Sequence, residues 1–167
     1  MLSWLFSKKA AMIAALALSC RVLLPVRAAA QWAAPEPTSA FSIPTAQLIQ
    51  PDELNRLLRS PGAEKPLILQ VGSHMMFAQA HIPGSEYAGP SSLSEGIQQL
   101  RGRAASLPHN RFIVIYCGCC PWNRCPNAGP AYKLLASMGF THVKVLYLAN
   151  NFGADWAGKG YPVESGQ

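Results

Sequence analysis

The segment RFIVIYC, residues 111–117, is the feature that most constrains how this chain folds. Between Arg111 and Cys117 it is an unbroken run of β-branched and aromatic residues, which is the composition of a strand. A second apolar run, PLILQVG at 66–72, ends in glycine and is typical of a strand buried on both faces. The segment HVKVLYL at 142–148 is predicted to form a third strand.

Helical patterns alternate with these strands. The segment 51–60 has leucines at helical spacing and acids in its first turn, and 92–107 is a weaker helix. A further helix is predicted over 131–140, with Gly139 as its C′ residue. This alternation predicts a single α/β domain with a mainly parallel central sheet flanked by helices.

Composition supports a packed domain and argues against nucleic-acid binding. Half of the 167 residues are hydrophobic and 13% are charged, so a sizeable core is expected. The net charge is +6, but Lys8, Lys9, Arg21 and Arg27 all lie in the first thirty residues. The rest of the chain has ten basic and eight acidic residues and contains no basic run, so no nucleic-acid partner is expected.

The first thirty residues have the pattern of an export signal. A Lys8–Lys9 pair precedes the apolar run 10–19, and Ala28–Ala30 offers small residues for a peptidase. We therefore expect a signal peptide at 1–30 and a periplasmic location. The alternative is an uncleaved N-terminal anchor, in which case the protein contacts the membrane there.

The exported chain is expected to consist of a linker and one domain. Residues 31–44 are rich in proline and alanine and are predicted to be the linker, and the domain is predicted to span 45–165. Removal of the signal also removes Cys20, which leaves four cysteines within nine positions of one loop. Disulfides that close such short loops constrain the unfolded chain little, so purely structural disulfides are disfavoured.

These four cysteines lie in the loop CGCCPWNRCPN, which begins at Cys117. Sites in parallel sheets lie beyond the carboxyl ends of strands, and the loop leads into a predicted helix N-terminus near 127–130. That terminus favours an anion and lowers the pKa of a nearby thiol. Gly118 allows close backbone approach, and Arg124 can hold an anionic donor by paired hydrogen bonds.

The order of these elements resembles the rhodanese family, the sulfurtransferase-type α/β domain, over about residues 45–165. The strand that leads to the cysteine resembles the one before the family's active-site cysteine. The segments that carry the remaining resemblance are LILQVG, HIPGSEYAGP and LLASMGFTHVKVLYLANNFGADWAGKGYPV.

The sequence also departs from the family pattern. Gln70 and Gly72 replace an acidic residue and an arginine, so the salt bridging typical of that corner is not expected. The cysteine loop is longer than usual, and Trp122 stands where an arginine often follows the active-site cysteine. The chain is therefore expected to be an atypical subtype defined by its cysteine-rich loop.

The resemblance implies sulfane-sulfur transfer through a cysteine persulfide, without a cofactor. Cys117 is expected to carry the persulfide, and Cys119, Cys120 and Cys125 are expected to shuttle or resolve it. Gly118, Trp122 and Arg124 are the expected substrate-binding residues. The expected partner is a small sulfur-donor molecule or a thiol acceptor protein.

Two other functions stay open on the sequence. Cys117 and Cys120 form a C-x-x-C pair that is suited to thiol–disulfide exchange. Alternatively, the four thiolates of Cys117, Cys119, Cys120 and Cys125 are the ligands that soft metals such as Cu(I) or Zn(II) prefer. His81 is expected to be structural, and the other histidines are expected at the surface.

Overall fold

The computed structural model describes residues 43–166. The predicted signal peptide and almost all of the predicted linker lie outside the described residues. Among those residues, no helix has the length and apolar character needed to span a membrane.

Five parallel strands form one sheet in the order β1-β5-β4-β2-β3. The elements in chain order are β1 Leu48–Ile49, α1 Pro51–Arg59, β2 Leu67–Gln70, α2 His74–Gln79, β3 Glu86–Tyr87, α3 Ser94–Ala104, β4 Ile113–Tyr116, α4 Ala128–Ser137, β5 Val143–Leu146 and α5 Phe152–Asp155. Short 3₁₀ turns cover Thr45–Gln47, Trp122–Arg124 and Ala157–Lys159. The predicted α/β class is confirmed.

The strand alternation divides the core between the two faces of the sheet. In β4, Ile113 and Ile115 contribute to the cluster that also contains the buried residues of α3 and α4. Val114 and Tyr116 contribute to a second cluster on the opposite face, with Leu54 of α1. Both faces of the central strand are therefore covered, which is why its sequence is apolar throughout instead of alternating.

The predicted elements are found with small changes at their ends. The helix predicted at 92–107 is shorter, and the helix predicted at 131–140 begins earlier, at Ala128. Gly139 lies just after the end of α4 with φ of +86°, as its predicted C′ role requires.

Four short elements were not predicted from the sequence. Strands β1 and β3 are two residues long and lie at the sheet edges, α2 spans six residues, and α5 spans four. Segments this short carry too few residues for a period of 2.0 or 3.6 to be visible. They become regular because they pair or pack against longer elements.

His81 is structural, as expected, and Trp156 is part of the core. The ring of His81 is buried, stacks on Phe77 and bonds through Nδ1 to the Phe77 carbonyl oxygen at 2.8 Å. Trp156 is fully buried in the second cluster, and its Nε1–H donates to the Pro162 carbonyl oxygen at 2.8 Å. Met75 is exposed, with 70% of its surface accessible.

Replacing Trp156 with alanine is expected to lower the free energy of unfolding by about 3–5 kcal/mol, because it leaves a large cavity in the second cluster. Chemical denaturation followed by circular dichroism measures this change. Met75→Ala, at an exposed position, is the control and should change stability by less than about 0.5 kcal/mol. Equal effects of the two substitutions would contradict the proposed packing.

Candidate active site

The alternation of β4 determines which way Cys117 points. Cys117 follows Ile113 and Ile115 at intervals of two residues, so its side chain enters the same cluster as theirs, on the α4 side of the sheet. It is 5% exposed. Because β4 is the middle strand, the sulfur lies at the centre of the sheet's carboxyl edge. This is the position expected from the sequence.

The loop after Cys117 turns sharply at Gly118. Its φ of +82° favours glycine, and an added Cβ would lie 3.0 Å from Cβ of Phe152. The loop then forms the 3₁₀ turn that contains Trp122, whose backbone N–H donates to the Ala149 carbonyl oxygen at 3.2 Å. The Trp122 ring lies 5.1 Å from the Tyr147 ring, centroid to centroid. The turn is thereby attached to the segment after β5.

This path brings the sulfur atoms together. Cys117 Sγ lies 3.1 Å from Cys119 Sγ, which lies 3.2 Å from Cys120 Sγ. These three sulfurs all lie within 4.8 Å of one another. Cys125 is buried in the same cluster as Cys117, and no disulfide joins any of the four cysteines, all of which lie in the described segment. All four cysteines belong to one site.

The sulfurs share protons unequally. Cys117 donates hydrogen bonds to Cys119 and to Cys125, and these bonds together with burial raise the pKa of the Cys117 thiol. The hydrogen bond from Cys117 lowers the pKa of Cys119 to about 6 and that of Cys125 to about 7. Burial raises the pKa of Cys120 to about 12. The arrangement therefore favours the anionic form on Cys119 and Cys125 and the protonated form on Cys117.

Three residues that the sequence did not single out as site residues contact Cys117. Gln70 donates from Nε2 to the Cys117 carbonyl oxygen at 3.1 Å and accepts from the Gly72 backbone N–H at 3.1 Å. A Cβ on Gly72 would lie 2.8 Å from that carbonyl oxygen and 3.1 Å from Cys117 Sγ, so an arginine does not fit there. Asn127 donates from Nδ2 to Cys117 Sγ at 3.2 Å.

The sequence carried only weak signals for these residues. Gln70 and Gly72 stand at the end of a predicted strand where the family has charged side chains. Asn127 stands at the beginning of a predicted helix. Only the folded chain shows that all three contact one cysteine.

A small cavity lies beside the sulfurs. It measures about 10 Å³ and is lined by Cys117, Cys120 and Cys125 together with Trp122 and neighbouring apolar residues. A second cavity of about 160 Å³ lies on another side of Gly118 and includes Gln70 and Phe152 in its lining. The largest of the three, about 360 Å³, is lined by none of the cysteines.

Arg124 occupies the last position of the 3₁₀ turn and is exposed. Its carbonyl oxygen lies 3.6 Å from Cys120 Sγ. Across residues 43–166, its guanidinium is in no salt bridge. The guanidinium is therefore accessible to a ligand, whereas the predicted role of Arg124 in binding an anionic donor stays a prediction.

The family of this chain follows from a comparison with known families. The model of the Rhodanese-like domain family matches residues 50–149, well over half of the chain. The chain belongs to the rhodanese-like domain family, as its resemblance predicted. No significant match was found among curated proteins.

Solved structures support the same conclusion. The rhodanese-like domain of the Alr3790 protein from Anabaena sp. is 27% identical, with 71% of this chain and 79% of that chain covered and a TM-score of 0.55. The BH2092 protein from Bacillus halodurans is 20% identical, with 71% and 76% covered and a TM-score of 0.55. EanB, solved with a cysteine persulfide and ergothioneine, is 23% identical, with 71% of this chain but only 28% of EanB covered and a TM-score of 0.51. The similarity to BH2092 and to EanB shows a shared fold only.

Thiol alkylation tests the proton sharing in the cluster. Because only the thiolate reacts, the alkylation rate of Cys119 should rise with pH through about 6 and then level off. Cys117→Ala removes the hydrogen bond that lowers this pKa, so the rate at about pH 7 should fall at least about tenfold. Tandem mass spectrometry of the alkylated peptide measures the rate at Cys119.

Cys125→Ala is the matched control for this experiment. It removes a sulfur from the same loop but leaves the bond between Cys117 and Cys119 intact, so the Cys119 midpoint should stay near pH 6. An unchanged midpoint in Cys117→Ala would show that this hydrogen bond does not control Cys119.

Proposed function

We propose that this protein transfers sulfane sulfur through a persulfide on Cys117. The small cavity beside Cys117 carries this proposal. Its volume of about 10 Å³ is enough for about one water-sized atom, and a persulfide adds one sulfur atom to the thiol. Family membership and the clustered cysteines support the same chemistry.

The first step begins with a proton transfer. The Cys117 thiol gives its proton to the Cys119 thiolate, whose sulfur lies 3.1 Å away. The resulting Cys117 thiolate attacks the outer sulfur of the donor. The donor's S–S bond breaks, and its leaving group, which is sulfite when the donor is thiosulfate, departs with the bonding electron pair. The outer sulfur stays on Cys117 as a persulfide.

The second step regenerates the enzyme. An acceptor thiolate attacks the outer sulfur, the S–S bond to Cys117 breaks, and Cys117 leaves as a thiolate. It then recovers the proton from Cys119. No external oxidant or reductant is needed.

The residues around the sulfurs fit this reaction. Trp122 lines the cavity beside the sulfurs, where it would contact a bound donor. Gly118 has no side chain, so the loop backbone can pass close to Phe152 directly after Cys117. We propose Arg124 as the residue that attracts an anionic donor, since its guanidinium is exposed on the same turn. Export to the periplasm belongs to the same proposal and rests on the N-terminal sequence.

A soft-metal site is the second candidate function. The observation that favours it is the mutual distance of at most 4.8 Å between the sulfurs of Cys117, Cys119 and Cys120. Thiolates so arranged are suited to Cu(I) or Zn(II). Thiol–disulfide exchange also has a geometric basis, because Cys117 and Cys119 are already in sulfur–sulfur contact. These two functions and sulfur transfer leave different products on the same cysteines.

Replacing Cys117 with serine should abolish sulfur transfer from thiosulfate or a polysulfide, because serine cannot form a persulfide. Cys125→Ser is the matched variant and should only slow transfer. The measurement is transfer to an acceptor thiol, together with intact-protein mass spectrometry after donor treatment, which detects the added sulfur.

Two results would contradict this assignment. If Cys117→Ser keeps full transfer while Cys119→Ser or Cys120→Ser loses it, the nucleophile lies on the loop extension. If the wild-type protein acquires no sulfur and its mass instead shows a bound metal or a disulfide, one of the other two functions replaces sulfur transfer.

Loss of the Arg124 charge should affect binding of the donor more than turnover. We expect Arg124→Gln to raise the KM for thiosulfate about tenfold, which is the size of one lost charge-assisted interaction, with a smaller fall in kcat. Arg101→Gln, at an exposed position on α3, is the control and should leave KM unchanged. A fall in kcat at constant KM in Arg124→Gln would assign this arginine to another role.

A further inference from the structure

Asn127 occupies a helix-capping position without capping the helix. It is the N-cap residue of α4, where asparagine is favoured because its side-chain oxygen accepts a backbone N–H of the first turn. Here the side chain makes no such bond. Asn127 is nevertheless only 5% exposed. Its amide therefore serves another purpose inside the protein.

The hydrogen bonds of Asn127 fix the orientation of its amide. Oδ1 accepts the backbone N–H of Ser92 at 2.8 Å, and a backbone N–H can only donate. The oxygen of the amide must therefore face Ser92, so the NH₂ group faces Cys117. The distance from Nδ2 to Cys117 Sγ is 3.2 Å. The sulfur of Cys117 is the acceptor in this contact.

The backbone at the same helix end faces a second sulfur. Backbone N–H groups of Asn127 and Ala128 bond to Cys125 and contribute to the lowered pKa of its thiol. Side-chain and backbone donors from one helix end thus converge on two sulfurs of the cluster. In the described chain, the titratable groups that face Cys117 are the thiols of Cys119, Cys120 and Cys125.

We propose that Asn127 is the hydrogen-bond donor that holds and stabilises anionic sulfur on Cys117. A donor aimed at sulfur favours a thiolate or persulfide anion over the neutral thiol, because bonds to an ionised acceptor are stronger. It opposes the burial and sulfur–sulfur bonds that keep the proton on Cys117. The persulfide part of this role rests on the proposed function, whereas the effect on the resting thiol does not.

Asn127→Asp is the most selective variant, because it replaces only the NH₂ group of the amide, the half that faces Cys117. The aspartate keeps an oxygen for the Ser92 N–H and replaces the NH₂ donor with an acceptor oxygen that carries negative charge. Asn123→Asp is the matched control, since it adds the same charge at an exposed position of the same loop. Asn127→Ser removes the amide NH₂ without adding charge, leaves only a shorter hydroxyl in its place, and keeps a residue that is favoured at a helix N-cap.

The measurement is the alkylation rate of Cys117 as a function of pH, with tandem mass spectrometry to localise the label and no sulfur donor present. Asn127→Asp should lower this rate at least about tenfold at fixed pH, the size expected for one lost charge-assisted bond, and should move its rise to higher pH. Asn127→Ser should give a smaller loss, and Asn123→Asp should stay within about twofold of the wild type. Thermal melting checks that each variant is folded.

Sulfur transfer is measured separately on the same variants. Asn127→Asp should lower kcat for thiosulfate and leave KM nearly unchanged, because the amide contacts the reacting sulfur and not the donor. If Asn127→Asp and Asn127→Ser leave Cys117 alkylation unchanged, Asn127 is not the donor, whatever the transfer rates. If the wild type transfers no sulfur, the proposed function fails, and the alkylation result still decides the role of Asn127.

Discussion

The parallel pairing of β4 with β2 on one side and β5 on the other is the constraint on which the rest of the structure depends. This pairing fixes β4 at the centre of the sheet, with both faces covered. The side chains of Tyr116 and Cys117 therefore point to opposite faces of the sheet. The Tyr116 hydroxyl contacts Ser85 Oγ and accepts the Ile82 N–H, both at 3.3 Å, and thereby anchors the segment that contains the HIPG turn. Cys117, one residue later, enters the other face and leads the sulfur cluster.

The site built on this edge relies on neutral donors and on sulfur itself instead of salt bridges. Gln70 replaces a carboxylate and bonds backbone groups on both sides of the corner, including the carbonyl oxygen of Cys117. Because Gly72 has no side chain, Cys117 can pack directly against its backbone. In such a buried setting an isolated anion would be costly. Within residues 43–166, where no salt bridge involves these cysteines, hydrogen bonds among the thiols favour the anionic form on Cys119 and Cys125.

The sequence was informative wherever a segment was long and regular. The run ending at Cys117 predicted a buried strand, and the alternation of helices and strands predicted the fold, because burial on both faces requires an apolar sequence throughout. The short elements β1, β3, α2 and α5 were missed because they owe their regularity to longer neighbours.

By itself, the sequence determined the α/β class, the position of Cys117 at a strand end and the closeness of four cysteines along the chain. These follow from local composition and spacing. Only the tertiary structure decided which groups meet those sulfurs. Gln70 is 47 residues from Cys117, and Ser92 is 35 residues from the asparagine whose amide it orients. Such contacts arise because parallel strands bring remote segments to one edge of the sheet, and hydrogen-bond directions there depend on geometry that no local pattern encodes.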